Sequence, residues 1–232
     1  LDNTIRLQYL EAMGIDVWVP KTSPPSHKNQ LVEAVVDDTE LKMKDSVINN
    51  WNNLKIEVAN CTKCALHTTA SKTVFGSGDN KAEWMLVGEA QGQQEDKQGL
   101  SFVNNVGALL TEMLRAIDLT RKDVFITNIT KCTPPNNRLP DVNEIDSCNN
   151  YLHRQQQLIK PKIIVAVGLF AAQSLLKINK PLDSLRGKVH SFNDTPVIVI
   201  YDPAYLLRFP FKKQEVWLNL MHAIQIVKNN KG

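Results

Sequence analysis

The chain has 232 residues, 43% of them hydrophobic and 22% charged, which suits one sizeable domain plus an appendage. No apolar run approaches the roughly 20 residues with which a helix crosses a bilayer, so no membrane-spanning helix is expected. The net charge of +3 permits nucleic-acid binding without demanding it. No apolar leader with a cleavage site opens the chain, and the expected compartment is the cytoplasm. In that reducing setting four cysteines read as ligands rather than disulfides.

Residues 1–20 stand apart. Ile5, Leu7, Leu10 and Met13 give a short helix an apolar side, Gly14 can cap it, and Ile15, Val17, Trp18 and Val19 follow as an extended apolar tip. Such a segment either folds back on its own domain or docks on a partner. Residues 21–45 turn polar, with Pro24-Pro25 and an acidic run, and read as a linker. The globular domain is expected over 46–232. Ser46 can cap a helix running to about Ala59, and a polar, Gly-containing loop follows Cys64.

Trp84 to Val87 is an apolar run that predicts a buried strand. Glu89 stands at its carboxyl end, before a loop around Gly92. A helix at 106–118 carries Leu109, Leu110, Met113, Leu114 and Ile117 on one face, and Val124 to Ile129 is a second strand. Asp141 and Glu144 form a capping box for a helix to about Lys160. Ile163 to Val167 and Val197 to Tyr201 are further strands, with a helix over Phe170 to Leu176 between them and a last one at about 212–228. Strands alternating with helices predict an α/β sandwich with a mainly parallel sheet. An acidic residue at a strand's carboxyl end, before a Gly-bearing loop, marks the crevice where open α/β sheets bind ligands. An ordinary βα connection with a solvated Glu carries the same pattern.

The cysteines fall in two pairs. Cys61 and Cys64 form a CxxC, which fixes two thiolates on one turn, while Cys132 and Cys148 lie on a loop and the helix after it. Their spacing leaves zinc and a four-iron cluster both open.

Several motifs resemble those of a known family, the iron-sulfur uracil-DNA glycosylases of family 4, over residues 46–228. They are Gly88-Glu89-Ala90-x-Gly92-x-x-Glu95-Asp96, Gln98-Gly99-x-x-Phe102-Val103 and Thr127-Asn128-x-x-Lys131-Cys132-x-Pro134-Pro135-x-Asn137-Arg138. Leu185-Arg186-Gly187-Lys188 and Pro203-Ala204-Tyr205-Leu206-Leu207-Arg208 complete the set. The resemblance implies a three-layer α/β/α sandwich with a four-stranded parallel sheet. It also implies a 4Fe-4S cluster on Cys61, Cys64, Cys132 and Cys148, and excision of uracil from DNA. Glycosidic cleavage leaves positive charge on the sugar and negative charge on the departing base, so the site needs donors for the base and a held water. By resemblance Glu89 holds the water, Phe102 stacks on the flipped uracil and Asn128 reads its edge, with Ala90, Gln91 and Gly92 in the same loop. Lys131, Arg138 and Arg208 are the expected phosphate contacts, and Leu206 with Leu207 the wedge.

Two positions depart from the family pattern. Asp202 stands where the second motif has His, and Gln91 where the first has Pro. That histidine would donate to the uracil anion, whereas an ionised Asp202 would repel it, and only a protonated one could take the same role. Residues 6–18 also resemble the N-terminal peptide of DNA polymerase III psi subunits, which docks on the clamp loader. This implies an alternative function, a replication-linked DNA-binding subunit without glycosylase activity. A monomer is expected outside that complex.

Overall fold

The computed structural model describes residues 50–229. The docking peptide at 1–20, the linker at 21–45 and the Ser46 cap lie outside the described residues. Helix α1 covers 50–59 of them. In order there follow β1 (Ser77–Gly78), β2 (Trp84–Gly88), α2 (Gln93–Gln98), α3 (Asn104–Arg115), β3 (Val124–Asn128), α4 (Val142–Ile159), β4 (Ile163–Val167) and α5 (Leu169–Leu176). The chain continues with α6 (Leu182–Leu185), β5 (Val189–Phe192), β6 (Thr195–Ile200), α7 (Pro203–Arg208) and α8 (Lys213–Asn229).

The strands form one sheet in the order β1-β3-β2-β4-β6-β5. The central four pair in parallel and are the strands expected from the apolar runs. The expectation of four strands falls short by two short antiparallel edge strands, β1 on β3 and β5 on β6. Neither edge carries an apolar run, because an edge strand is not covered on both faces as the central ones are. The β5–β6 pair is a hairpin turned by Asn193 and Asp194, both at positive φ.

Alternate strand residues divide between two cores. Met85, Val87, Ile164, Ala166, Val197 and Val199 pack with Leu54, Leu152, Ala171 and Leu175, from α1, α4 and α5. Trp84, Leu86, Val165, Val167, Ile198 and Ile200 pack with Leu110, Leu114, Leu220 and Ala223, from α3 and α8. This is the three-layer α/β/α sandwich. The capping box of α4 forms as expected, with Asp141 accepting from the Glu144 N–H and Glu144 from the Asp141 N–H.

From β2 the chain crosses to β3 by way of α3 on one face, then reaches β4 by way of α4 on the other. β2 therefore borders the topological switch point, where a crevice opens at the carboxyl edge.

Candidate active site

Each central strand delivers a polar residue or a glycine to that edge: Glu89 after β2, Asn128 at the end of β3, Gly168 after β4 and Asp202 after β6. All four line one cleft of about 890 Å3, together with Ala90, Gly92, Phe102, Tyr201, Tyr205 and Arg208. Its size and place suit a small-molecule site.

Glu89 sits against the first turn of α5, where its Oε1 accepts the Phe170 N–H at 3.0 Å. Burial pushes its carboxyl from 4.5 up to about 7; the Phe170 amide opposes the rise and the nearby Asp202 charge adds to it. Close packing fixes the group. Gly168 has φ +97°, and a Cβ there would stand 2.3 Å from Glu89 Oε1.

Phe102 is buried at φ 54°, a strained setting for an aromatic residue. Its N–H donates to Glu95 Oε1, and its carbonyl accepts from Arg121 Nη2 at 2.8 Å. Glu95 Oε2 also accepts the Gly92 N–H at 2.6 Å, so one carboxylate ties the glycine loop to the Phe102 backbone. Burial raises Glu95 and lowers Arg121, and the attraction between them opposes both shifts. The ring tip lies over the end of β2, where a Cβ on Gly88 would meet Phe102 Cζ and Asn128 Oδ1 at 2.5 Å each. Asn128 is buried, its Nδ2 donating to Ser101 Oγ at 3.3 Å.

Asp202 caps α7, its Oδ1 accepting the Ala204 N–H at 2.6 Å. Burial raises its carboxyl, while the amides of Ala204 and Tyr205 and the charge of Arg208 oppose the rise. An acceptor committed to a helix start explains how aspartate is accommodated where the family pattern has histidine.

Three expected contacts are corrected. Gln91 does not line the cleft: it is buried, and its amide donates to Thr130 O at 2.8 Å while its Oε1 accepts from Thr130 Oγ1 at 3.3 Å. The loop is thus pinned by hydrogen bonds where the family has a rigid ring. Lys131 cannot reach a phosphate: it is fully buried, with Nζ on Thr127 Oγ1 at 2.6 Å, Gln155 Oε1 at 2.8 Å and Asn128 O at 2.9 Å. Leu206 is wholly in the core, and Leu207 is the exposed leucine of α7. Arg138 is half-exposed but already paired with Glu144 through two hydrogen bonds of 2.8 and 2.6 Å. Arg208 is exposed at the cleft.

Sequence reasoning gave no role to Glu95 or Arg121. A glycine N-cap hid the capping-box spacing of Gly92 and Glu95, which is usually found from Ser or Thr. Arg121 carried no local signal, because it acts across 19 residues.

The two cysteine pairs meet in one corner. Cys61 and Cys64 are half-buried, Cys132 and Cys148 buried, and all four thiols are free. Burial pushes Cys132 up to about 12, with Cys148, Cys64 and Cys61 all adding to the rise. Cys61 and Cys132 border a cavity of about 390 Å3. Among the described residues no three His, Cys, Asp or Glu side chains converge as a metal-holding group, so the thiols share a region without forming a coordination shell. The donor set still fits an iron-sulfur cluster in kind: four soft ligands whose deprotonation, costly in this buried corner, bound iron would favour.

Fold and site together define a class, open α/β proteins whose sheet edge holds a buried carboxylate, an amide and an aromatic ring around one cleft. A family model for the uracil DNA glycosylase superfamily matches residues 75–221. The type-4 uracil-DNA glycosylase of Archaeoglobus fulgidus is 44% identical over 167 residues, 68% of this chain and 84% of that protein. Those of Pyrobaculum aerophilum and Sulfurisphaera tokodaii are 39% and 42% identical, over 68% and 70% of this chain and 85% and 78% of theirs. The chain therefore belongs to the uracil DNA glycosylase superfamily, in its type-4 family.

Proposed function

We propose that the chain hydrolyses the bond between uracil and deoxyribose in DNA, leaving an abasic site for base excision repair. The observation that carries this reading is Glu89, a cleft carboxyl raised to about 7 beside Asn128 and Phe102. The target nucleotide leaves the stack and its base lies on the Phe102 ring. The Asn128 amide donates to a uracil carbonyl and accepts the ring N–H beside it, while the Ala90–Gly92 loop borders the base. The bond from C1′ to the uracil nitrogen breaks, and its electron pair leaves with the base. Water held by Glu89 adds its oxygen to C1′, and its proton passes through the carboxylate to solvent, where the uracil anion is also neutralised. Ionised Glu89 stabilises the cationic sugar during this step.

Asp202 faces the same cleft. Protonated, it donates to the developing anion; ionised, it opposes that charge, so excision is slower than with histidine there. Arg208 contacts phosphate, and Arg138 does so by exchanging its Glu144 partner. The four cysteines would hold a 4Fe-4S cluster that, when bound, ties the segment after α1 to the exit of β3 and to α4. Brown protein with broad visible absorption and about four irons per chain supports this, and colourless zinc protein refutes it.

The domain limits at 46–232, a cytoplasmic setting and the clamp-loader peptide at 1–20 belong to the proposal on sequence alone. Capture of the clamp loader, lost in Trp18→Ala, tests the last. The function itself is tested by single-turnover release of uracil from single-stranded and duplex oligonucleotides, with anaerobically purified protein and its Asp202→His variant. Release by the natural chain supports the reading, and silence from both proteins overturns it.

A further inference from the structure

Four aromatic rings run outward from the cleft. Tyr201 and Tyr205 stack with centroids 4.8 Å apart and planes 17° from parallel. Phe209 follows Tyr205 at 4.6 Å, and Phe211 follows Phe209 edge-on at 6.2 Å. Exposure grows along the row: Tyr201 is buried, Tyr205 half-buried, Phe209 40% exposed and Phe211 72% exposed. Local structure sets the spacing. Tyr201 follows β6, Tyr205 and Phe209 lie one helical turn apart through α7 and its cap, and the Pro210–Lys212 turn presents Phe211.

Two cations lie against the rings at either end of the row. The Arg186 guanidinium lies 4.0 Å from the Tyr201 centroid, and Lys212 Nζ lies 5.6 Å from Tyr201 and 5.8 Å from Phe211. Glu215 pairs with both Arg186 and Lys212. Arg208 and Lys213 are exposed, and neither forms an ion pair among the described residues. Tyr201, Tyr205 and Arg208 also line the cleft, so the row begins inside the site already described.

Exposed phenyl rings with exposed cations beside them in the chain match the chemistry of an unpaired nucleic-acid strand. Bases stack on the rings and phosphates meet the charges. A duplex covers its base faces with neighbouring base pairs and cannot use the rings. An apolar protein partner would have no need of the exposed Arg208, at the cleft end of the row, or of Lys213, two residues after Phe211. We propose that this row is a track for single-stranded DNA beside the target nucleotide, with Phe209 and Phe211 each stacking one unpaired base. The inference rests on the reading of the cleft as a uracil site in DNA.

The test is fluorescence anisotropy of the full chain with a labelled uracil-free single strand and the duplex of the same sequence, alongside Phe211→Ala and Phe211→Trp. Phe211 is a surface residue, so both variants fold. Alanine is expected to weaken single-strand binding by about tenfold or more, with a smaller loss on duplex, and tryptophan to restore it. Equal losses on both forms, or no loss, overturn the track. Uracil release by the same proteins from a uracil-containing strand separates the two readings. Ring-dependent single-strand binding without release defeats the glycosylase and keeps the track, whereas release with ring-independent binding does the reverse.

Discussion

Strand β3 ends between two buried polar regions that surround a charged group differently, although burial pushes each group toward neutrality, Glu89 up and Lys131 down, both to about 7. On the cleft side Glu89 is pushed up to about 7 and backed by the Phe170 amide. Three residues beyond Asn128, on the cysteine side, Lys131 is buried as completely as any core leucine but has three oxygen acceptors on its ammonium. A buried group with hydrogen-bond partners for all its protons is an anchor; one with a single amide partner and a face on a cleft is placed to react. The difference separates a candidate active centre from a structural one, although Asn128 of the cleft and Lys131 stand three residues apart in the chain.

The comparison breaks most sharply at Glu89. Glu89→Gln is expected to cut kcat about 10³-fold while leaving the fold intact, measured by single-turnover uracil release. The same variant should be more stable at pH 8. The folded carboxyl lies above its ordinary value, so its contribution is full below about 4.5 and lost as pH rises through about 7. A rise of that size corresponds to roughly 3 kcal/mol, readable as a higher melting temperature for the glutamine variant at pH 8 but not at pH 4. In the natural chain kcat/KM should climb with pH and level off above about 7 as Glu89 ionises. A flat profile would remove Glu89 from the chemistry.

Lys131→Met inverts the pattern. It leaves Thr127, Gln155 and the Asn128 carbonyl without their donor and should cost roughly 3 kcal/mol in urea unfolding. Salt dependence of DNA binding should stay as it was, since no phosphate contact is lost. A shallower slope of affinity against salt would return Lys131 to the DNA surface.

Asp202→His sharpens the cleft half. Restoring a neutral donor should raise uracil release by roughly 10²-fold, since losing one such donor costs about that much. No gain would confine Asp202 to capping α7. The smallest effect is expected at Gln91. Gln91→Ala removes both bonds to Thr130 and should cost about 1–2 kcal/mol of stability, with base preference unchanged. A changed preference among deaminated bases would put Gln91 back at the substrate.

Legibility in the sequence followed what each residue does locally. The four parallel strands were visible as apolar runs, because a strand covered on both faces has little use for polar side chains. Edge strands β1 and β5 had no such run. Glu89, Asn128 and Phe102 were found through the family resemblance of their motifs, and the structure brings all three to one cleft. Lys131, Gln91 and Leu206 sit in the same motifs, yet their side chains turn into the protein.

By itself the sequence determined the layered α/β architecture, the central strands, the capping box of α4, the pairing pattern of the cysteines and the family. These rest on periodicity, turn chemistry and residue type, which act over a few neighbours. Only the tertiary structure decided which cations are buried, which leucine of α7 meets solvent, how Glu95 and Arg121 hold Phe102, and that four aromatic rings line up beside the cleft. The physical reason is that burial and partnership are set by segments far apart in the chain. A lysine at a strand exit reads the same in sequence whether it faces DNA or the core, and only the packed neighbours determine whether its charge meets water or three oxygen acceptors.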